Sequence, residues 1–231
     1  MRSAGAVGAL LRDKDIRRAL TASIDHTYRD CEYLLVPEVD ILHELPGRID
    51  VLLVTGRQIC GIEIKSDVDT VQRLPRQISI YEAALERGTL IAGARHLRAV
   101  ESLLPPWWEI WVAQRCNETV ALDTYRPGRT NPDLSLHAVA TFMPREALVR
   151  HLRTQGVRGY SRLSTYELRE RVVDMHSRTN FLALARWVMR TRGDWSYRAA
   201  QLRGTRPQYS PPSSRCQCPL CESIAAVTHR S

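Results

Sequence analysis

Residues 48–67, RIDVLLVTGRQICGIEIKSD, constrain this chain more than any other stretch. Two apolar runs meet across a short glycine-containing link, which is the pattern of a β-hairpin. With Gly56 and Arg57 as the two central residues of a tight turn, glycine first as a type II′ turn wants, Thr55 pairs with Gln58. Counting back along the ladder then places Asp50 opposite Glu63. Side chains alternate along a strand, so Glu63 and Lys65 share one face while Ile62 and Ile64 take the other. Two carboxylates directly across an antiparallel pair stand about 4.5–5.5 Å apart at Cβ and repel unless a cation lies between them. A divalent ion held by oxygen ligands, Mg²⁺ or Mn²⁺, relieves that repulsion and keeps open positions for water and phosphate. The competing description is a cross-strand ion-pair ladder on a solvated sheet face. An acidic loop, SDVD, follows the strand at once.

The basic residues sharpen the pattern. Of 33 Lys and Arg residues only Lys14 and Lys65 are lysine, so Lys65 departs from a strong preference for arginine. A compact ammonium beside a metal-bound water does what a planar guanidinium does not. The charge is also uneven. Residues 142–231 carry 16 Arg, no Lys and 6 acids, whereas the first 141 residues are slightly acidic. A basic C-terminal part beside an acid-bearing site points to a polyanion partner; an arginine-rich solvated surface is the plainer account.

Along the chain, residues 12–29 read as an amphipathic helix with Ile16, Ala19, Leu20 and Ile24 at helical spacing. YLLVPEVDIL reads as a first strand, and the hairpin follows. Residues 75–87 read as a helix with Pro75 in its first turn and Gly88 at its end. TLIAGA and WWEIWVA read as strands around a helix that stops at Pro105 and Pro106. The turn-rich YRPGRTNPD marks a boundary, after which REALVRHLRTQG, TYELRERVVDMH and NFLALARWVMRTR read as helices. The expected organisation is a mixed α/β core over residues 1–141, a basic all-α module over 142–205 and a flexible cysteine-containing tail over 206–231.

An Asp on one strand and E-x-K on the next is the signature of the PD-(D/E)xK nuclease superfamily, which Asp50, Glu63 and Lys65 resemble, with Ile49 where the name has Pro. The longer run EIKSDVDTVQRLPRQISIYEAAL, PPWWEIWVA downstream and the Arg-rich C-terminus are similar to one family of bacterial and phage proteins within that superfamily, over roughly residues 30–200. The resemblance implies a restriction-endonuclease-like mixed sheet flanked by helices and a Mg²⁺-dependent nuclease cutting DNA, with RNA still open. It implies catalytic roles for Asp50, Glu63, Lys65, Gln77 and Tyr81, the last two being similar to the Q-x-x-x-Y pair of RecB-type nucleases. Glu38 is the implied third metal ligand beside Asp50 and Glu63, with Glu44 a rival. Gln77 and Tyr81 stand one turn apart on one helical face.

Arg73 and Arg76 at the start of that helix are candidates for backbone contact. Residues 146–173 resemble the helix-extension-helix modules of SAP type, in which Arg150, Arg153, Arg158, Arg162 and Arg169 would meet phosphates; a helical bundle packed on the core is the alternative. CQCPLC with His229 offers Cys216, Cys218, Cys221 and His229 as candidate tetrahedral zinc ligands; an unstructured reduced tail is the competing reading. His26, His43, His96, His137, His151 and His176 show no zinc-enzyme spacing, and no phosphate loop or nucleophile elbow is present. With no apolar run of about 18 residues, a cytoplasmic protein is expected. The readings from other classes are a catalytically inactive nucleic-acid-binding scaffold and a phage protein acting through protein partners.

Overall fold

The computed structural model describes residues 10–205. Helix α1 (Asp13–Thr27) precedes strands β1 (Tyr33–Ile41), β2 (Gly47–Thr55) and β3 (Ile59–Lys65). Helix α2 (Leu74–Ala84) leads to β4 (Arg87–Gly93), and α3 (Leu97–Leu103) to β5 (Glu109–Cys116) and β6 (Thr119–Arg126). Five helices follow: α4 (Leu136–Ala140), α5 (Arg145–Thr154), α6 (Thr165–Asp174), α7 (Arg178–Arg190) and α8 (Gly193–Leu202). The six strands form one mixed sheet in chain order, with β3, β4 and β5 parallel and the outer pairs antiparallel. No helix among the described residues is long and apolar enough to cross a membrane.

The hairpin register is the one that the two-residue link dictates. Val51 pairs with Ile62 and Val54 with Ile59, while Thr55 N donates to Gln58 O at 3.0 Å. The turn itself is not type II′, because Gly56 does not adopt the left-handed φ that this turn requires. Thr55 closes it instead: its Oγ1 accepts from the N–H groups of Arg57 and Gln58, both at 3.1 Å. A hydroxyl cap thus fixes the link without using glycine's special conformation.

Each face of the sheet has its own apolar layer. Ile16, Leu20 and Ile24 of α1 cover Ile62, Ile64 and Ile91 on one side. On the other, residues of α2 and α4–α8 share a continuous core with the sheet, from Leu34 and Tyr81 to Phe181, Val188 and Trp195. The turn-rich segment after β6 is stitched into it. Asn131, almost fully buried, donates from Nδ2 to the carbonyls of Glu82 and Leu85, and its N–H donates to Glu86 O.

The expected end of α2 changes. Helix α2 ends at Ala84 rather than Arg87, and Gly88 lies inside β4. The helix unwinds there because Glu86 is drawn inward: its Oε2 accepts from Ile59 N at 2.9 Å and from Arg186 Nε at 2.8 Å. Strand β6 and helix α8 were not legible. β6 has a mostly half-exposed or exposed edge-strand pattern, and α8 buries only Trp195 and Ala199, one turn apart behind a glycine start.

Candidate functional site

The hairpin and α2 converge at the C-terminal end of β3. Gly61 permits this approach, since a Cβ there would collide with Leu85 and crowd the Tyr81 ring, so α2 lies close against the sheet. Pro75 in the first turn and Tyr81 stacked on Trp108, with ring centroids 5.4 Å apart, fix its pitch and rotation. Gln77 and Tyr81 are thereby directed at β3.

Glu63 is fully buried and is met by three donors. Lys65 Nζ donates to Oε1 at 2.6 Å, Gln77 Nε2 donates to the same oxygen, and Tyr81 OH donates to Oε2 at 2.6 Å. Lys65 Nζ also donates to Gln77 Oε1 at 2.9 Å, closing a triangle of Glu63, Lys65 and Gln77. A buried carboxylate survives only when its acceptor sites are filled in this way. Tyr81 is held firmly as the phenol: burial, then the charges of Glu63 and Asp50, push its pKa well up. Tyr81 is thus packed in the core and bonded to Glu63 at once, while Gln77 is half-buried.

Asp50 approaches from the other strand. Its Oδ2 accepts from Ile64 N at 2.9 Å, and its own N–H donates to Tyr81 OH at 3.3 Å. Burial, and then the negative charge of Glu63, push its carboxyl up to about 7. The two carboxylates are thus unevenly served: Glu63 has a cation and two further donors, and Asp50 has one backbone N–H. Asp50, Glu63, Ile64, Lys65 and Gln77 line an open cleft of about 270 Å³ together with Asp13, Asp69, Thr70 and Arg73.

The acidic loop after β3 holds the site's rim. Asp69 Oδ2 accepts from Ser66 N at 2.8 Å and from Ser66 Oγ at 2.6 Å. Asp67 Oδ2 accepts from Leu11 N at 2.9 Å while Asp67 N donates to Leu11 O at 3.0 Å, clasping the segment before α1. Buried His96 donates from Nε2 to Ser66 O at 3.0 Å. Asp13, Asp69 and His96 were not singled out from sequence. The Ser-x-x-Asp spacing of Ser66 and Asp69 was a usable signal of a side-chain-closed turn. His96 gave none.

Glu38 does not line the cleft. It sits at φ 55°, interrupting the ladder between the pairs Pro37–Val51 and Val39–Ile49. Its Oε1 accepts from Arg17 Nη2 at 3.1 Å, and Arg48 lies 3.9 Å from Oε2. Arg17 in turn donates from Nε to Asp13 at 2.7 Å and from Nη1 to Asp50 O at 3.0 Å, so Glu38 touches the site through a cation. Glu44 lies in the β1–β2 loop, outside the cleft lining. Among the described residues no group of three His, Cys, Asp or Glu gathers as a metal cluster. Cys216, Cys218, Cys221 and His229 lie outside the described residues.

Arg73 reaches the cleft, and Arg76 is exposed on the same first turn. Arg150, Arg153, Arg158 and Arg162 lie on α5 and the following link, none of them in the cleft lining. Arg153, Arg158 and Arg162 are exposed, and Ser164 caps α6 through a reciprocal bond pattern with Glu167. Much of the remaining C-terminal positive charge is used within the fold. Arg145, Arg178, Arg190 and Arg192 donate to backbone carbonyls, Arg198 donates to Pro37 O and Glu38 O, Arg169 reaches Thr141 O, and Arg186 pairs with Glu86.

Asp50→Asn makes the strain at the pair measurable. The unfolded carboxyl titrates near 3.8 and the folded one at about 7, so the folded state holds the proton more tightly. Its stabilising effect is complete below the lower value and is lost as pH rises through the upper one. In chelator, Asn should therefore raise stability at pH 8 by about 1–3 kcal/mol and change little at pH 4. Thermal melts at both values test it, and an equal shift at both would remove the electrostatic origin.

The fold and site define a mixed α/β protein with a cleft built from two close carboxylates, a lysine and a glutamine. More particularly, the chain belongs to the family described as bacteriophage P4 protein cII, whose model matches residues 11–198. No curated protein matches the sequence. A solved structure of a protein of unknown function from Silicibacter pomeroyi is similar at 18% identity and a TM-score of 0.35, covering 52% of this chain and 70% of that one.

Proposed function

We propose that the protein is a metal-dependent nuclease of PD-(D/E)xK type, with a restriction-endonuclease-like sheet, that hydrolyses phosphodiester bonds in DNA. The observation that carries the reading is the convergence of Asp50, Glu63, Lys65 and Gln77 on one open cleft. The donor set fits a hard divalent cation. The carboxylates of Asp50 and Glu63 offer oxygen donors that suit Mg²⁺ or Mn²⁺, which keep several waters and take few protein ligands. Burial first, and the Glu63 charge second, raise the Asp50 carboxyl, and a cation bound between the two carboxylates would offset the second of these.

Asp50 and Glu63 would hold the ion, which when bound supplies an acidified water and neutralises phosphate charge. Lys65 would orient the attacking water and share its proton, with Nζ held in place by Gln77. Tyr81 remains protonated and keeps Glu63 aimed into the cleft. Arg73 on the cleft wall would take a non-bridging phosphate oxygen. No serine or histidine nucleophile is required.

Cleavage of single-stranded, double-stranded and branched DNA with Mg²⁺ or Mn²⁺, against a chelator control, is the direct test. The nucleic-acid-binding scaffold is the second reading, favoured by the closed triangle in which Lys65 already has two protein partners. DNA binding without divalent-dependent cutting of any substrate, RNA included, would select it.

A further inference from the structure

The chain's two lysines are not scattered. Lys65 lines the cleft, and Lys14 directly follows Asp13, another residue of the cleft lining, on the first turn of α1. From there a second, more open groove of about 510 Å³ runs between α1 and the end of α8. Asp13 lines both cavities, so the groove adjoins the cleft at the first turn of α1. Its lining joins two small side chains, Thr21 and Ala22, with the cations Lys14, Arg17, Arg18 and Arg203.

These four cations are not equivalent. Arg17 is occupied by Asp13, Glu38 and the Asp50 carbonyl. Arg203 is occupied by Asp25, at 3.1 Å, and lies over the Tyr33 ring. Lys14 and Arg18 are exposed, and among the described residues neither makes a salt bridge or hydrogen bond through its side chain. The acids of the groove, Asp13 and Asp25, are each already paired with arginine. The surplus charge of the groove is therefore that of Lys14 and Arg18. Four residues apart on one helix, they stand about 6 Å from each other along the axis. A nucleic-acid strand carries one charge per about 3.4 Å of axis, so the pair spans about two phosphates.

We propose that this α1 groove is the track for one phosphodiester backbone of the DNA whose scissile bond lies in the cleft, with Lys14 and Arg18 as its phosphate contacts. The inference rests on the nuclease-like reading for the position of the scissile bond. It differs from an assignment of DNA affinity to the arginines of α5 and the link after it, which do not line the cleft.

Binding of the full chain to fluorescently labelled DNA, single-stranded and duplex, is measured by anisotropy in chelator over a range of salt, so that cleavage does not enter. The Lys14→Gln/Arg18→Gln double variant should weaken binding at least tenfold at about 0.1 M salt. Its slope of log affinity against log salt should fall by about 1.4 on single strands and 1.8 on duplex. The charge-preserving Lys14→Arg/Arg18→Lys variant should keep the wild-type slope. Wild type that does not bind DNA, a Gln variant with unchanged affinity and slope, or a charge-preserving variant as weak as the Gln variant would each overturn the track. Wild type that binds in this manner yet cuts nothing with any divalent ion would leave the track standing and remove the nuclease reading. Cutting that persists while the Gln variant binds normally would do the reverse.

Discussion

Lys65→Arg should lower divalent-dependent cleavage by about 10²–10⁴-fold, the range expected when a positioned proton-transfer group is lost. The fold should remain. Lys65 Nζ is a single point held between Glu63 Oε1 at 2.6 Å and Gln77 Oε1 at 2.9 Å, with little exposed surface. A guanidinium presents a planar fork of donors, stays charged under all working conditions and does not share a proton with a water. It would also displace Gln77 from Glu63. Glu63→Gln should give a comparable loss by removing a carboxylate from the proposed ion site, and added Mn²⁺ should not restore it. Cleavage rates taken with far-ultraviolet circular dichroism and melting curves separate chemistry from misfolding. If both variants cut like wild type, the triangle is a structural ion pair and the proposed chemistry is wrong.

The parts of the site written in local pattern were legible, and the parts written in long-range contact were not. Period-two alternation and a two-residue link are enough to set the β2–β3 register, because a one-residue slip would send every apolar side chain to the wrong face. Helical spacing alone puts Gln77 and Tyr81 on one face. Gln77 in the triangle also depends on Gly61, whose missing Cβ lets α2 settle against β3. The turn type failed because Thr55 Oγ1 supplies by side chain what glycine was expected to supply by backbone. Asp13 and His96 reach the cleft and its rim from α1 and from the segment after β4, far away in sequence, and no spacing rule joins them to Glu63. The same holds for charge. Net charge shows that the C-terminal part is basic, but not that Arg186, Arg190 and Arg198 are turned inward onto an acid or onto strand carbonyls.

Arg186→Ala should destabilise the protein by about 3–5 kcal/mol, the usual cost of stranding one member of a buried ion pair. Glu86 is 6% exposed, and its carboxylate serves two elements at once. It accepts the Ile59 N–H at the start of β3 at 2.9 Å and takes Arg186 Nε from α7 at 2.8 Å, with Nη2 on its other oxygen. Without the guanidinium, a carboxylate remains beside Ile59 with one backbone donor and almost no water. For a chain of this size the loss corresponds to a fall in melting temperature of roughly 6–20 °C. Glu86→Gln in the same background should recover most of it, since a neutral amide oxygen still accepts from Ile59 and the stranded charge is gone. Glu86 sits where α2 ends and β4 begins, so the single variant should also loosen the helix carrying Gln77 and Tyr81. Amide exchange should then rise at the α2 end and at Ile59, where β3 starts, before it rises within α1, which packs on the opposite face of the sheet. Unchanged melting in Arg186→Ala, or a double variant no more stable than the single, would show that solvent reaches Glu86 and that the α7 clasp carries little of the fold's stability.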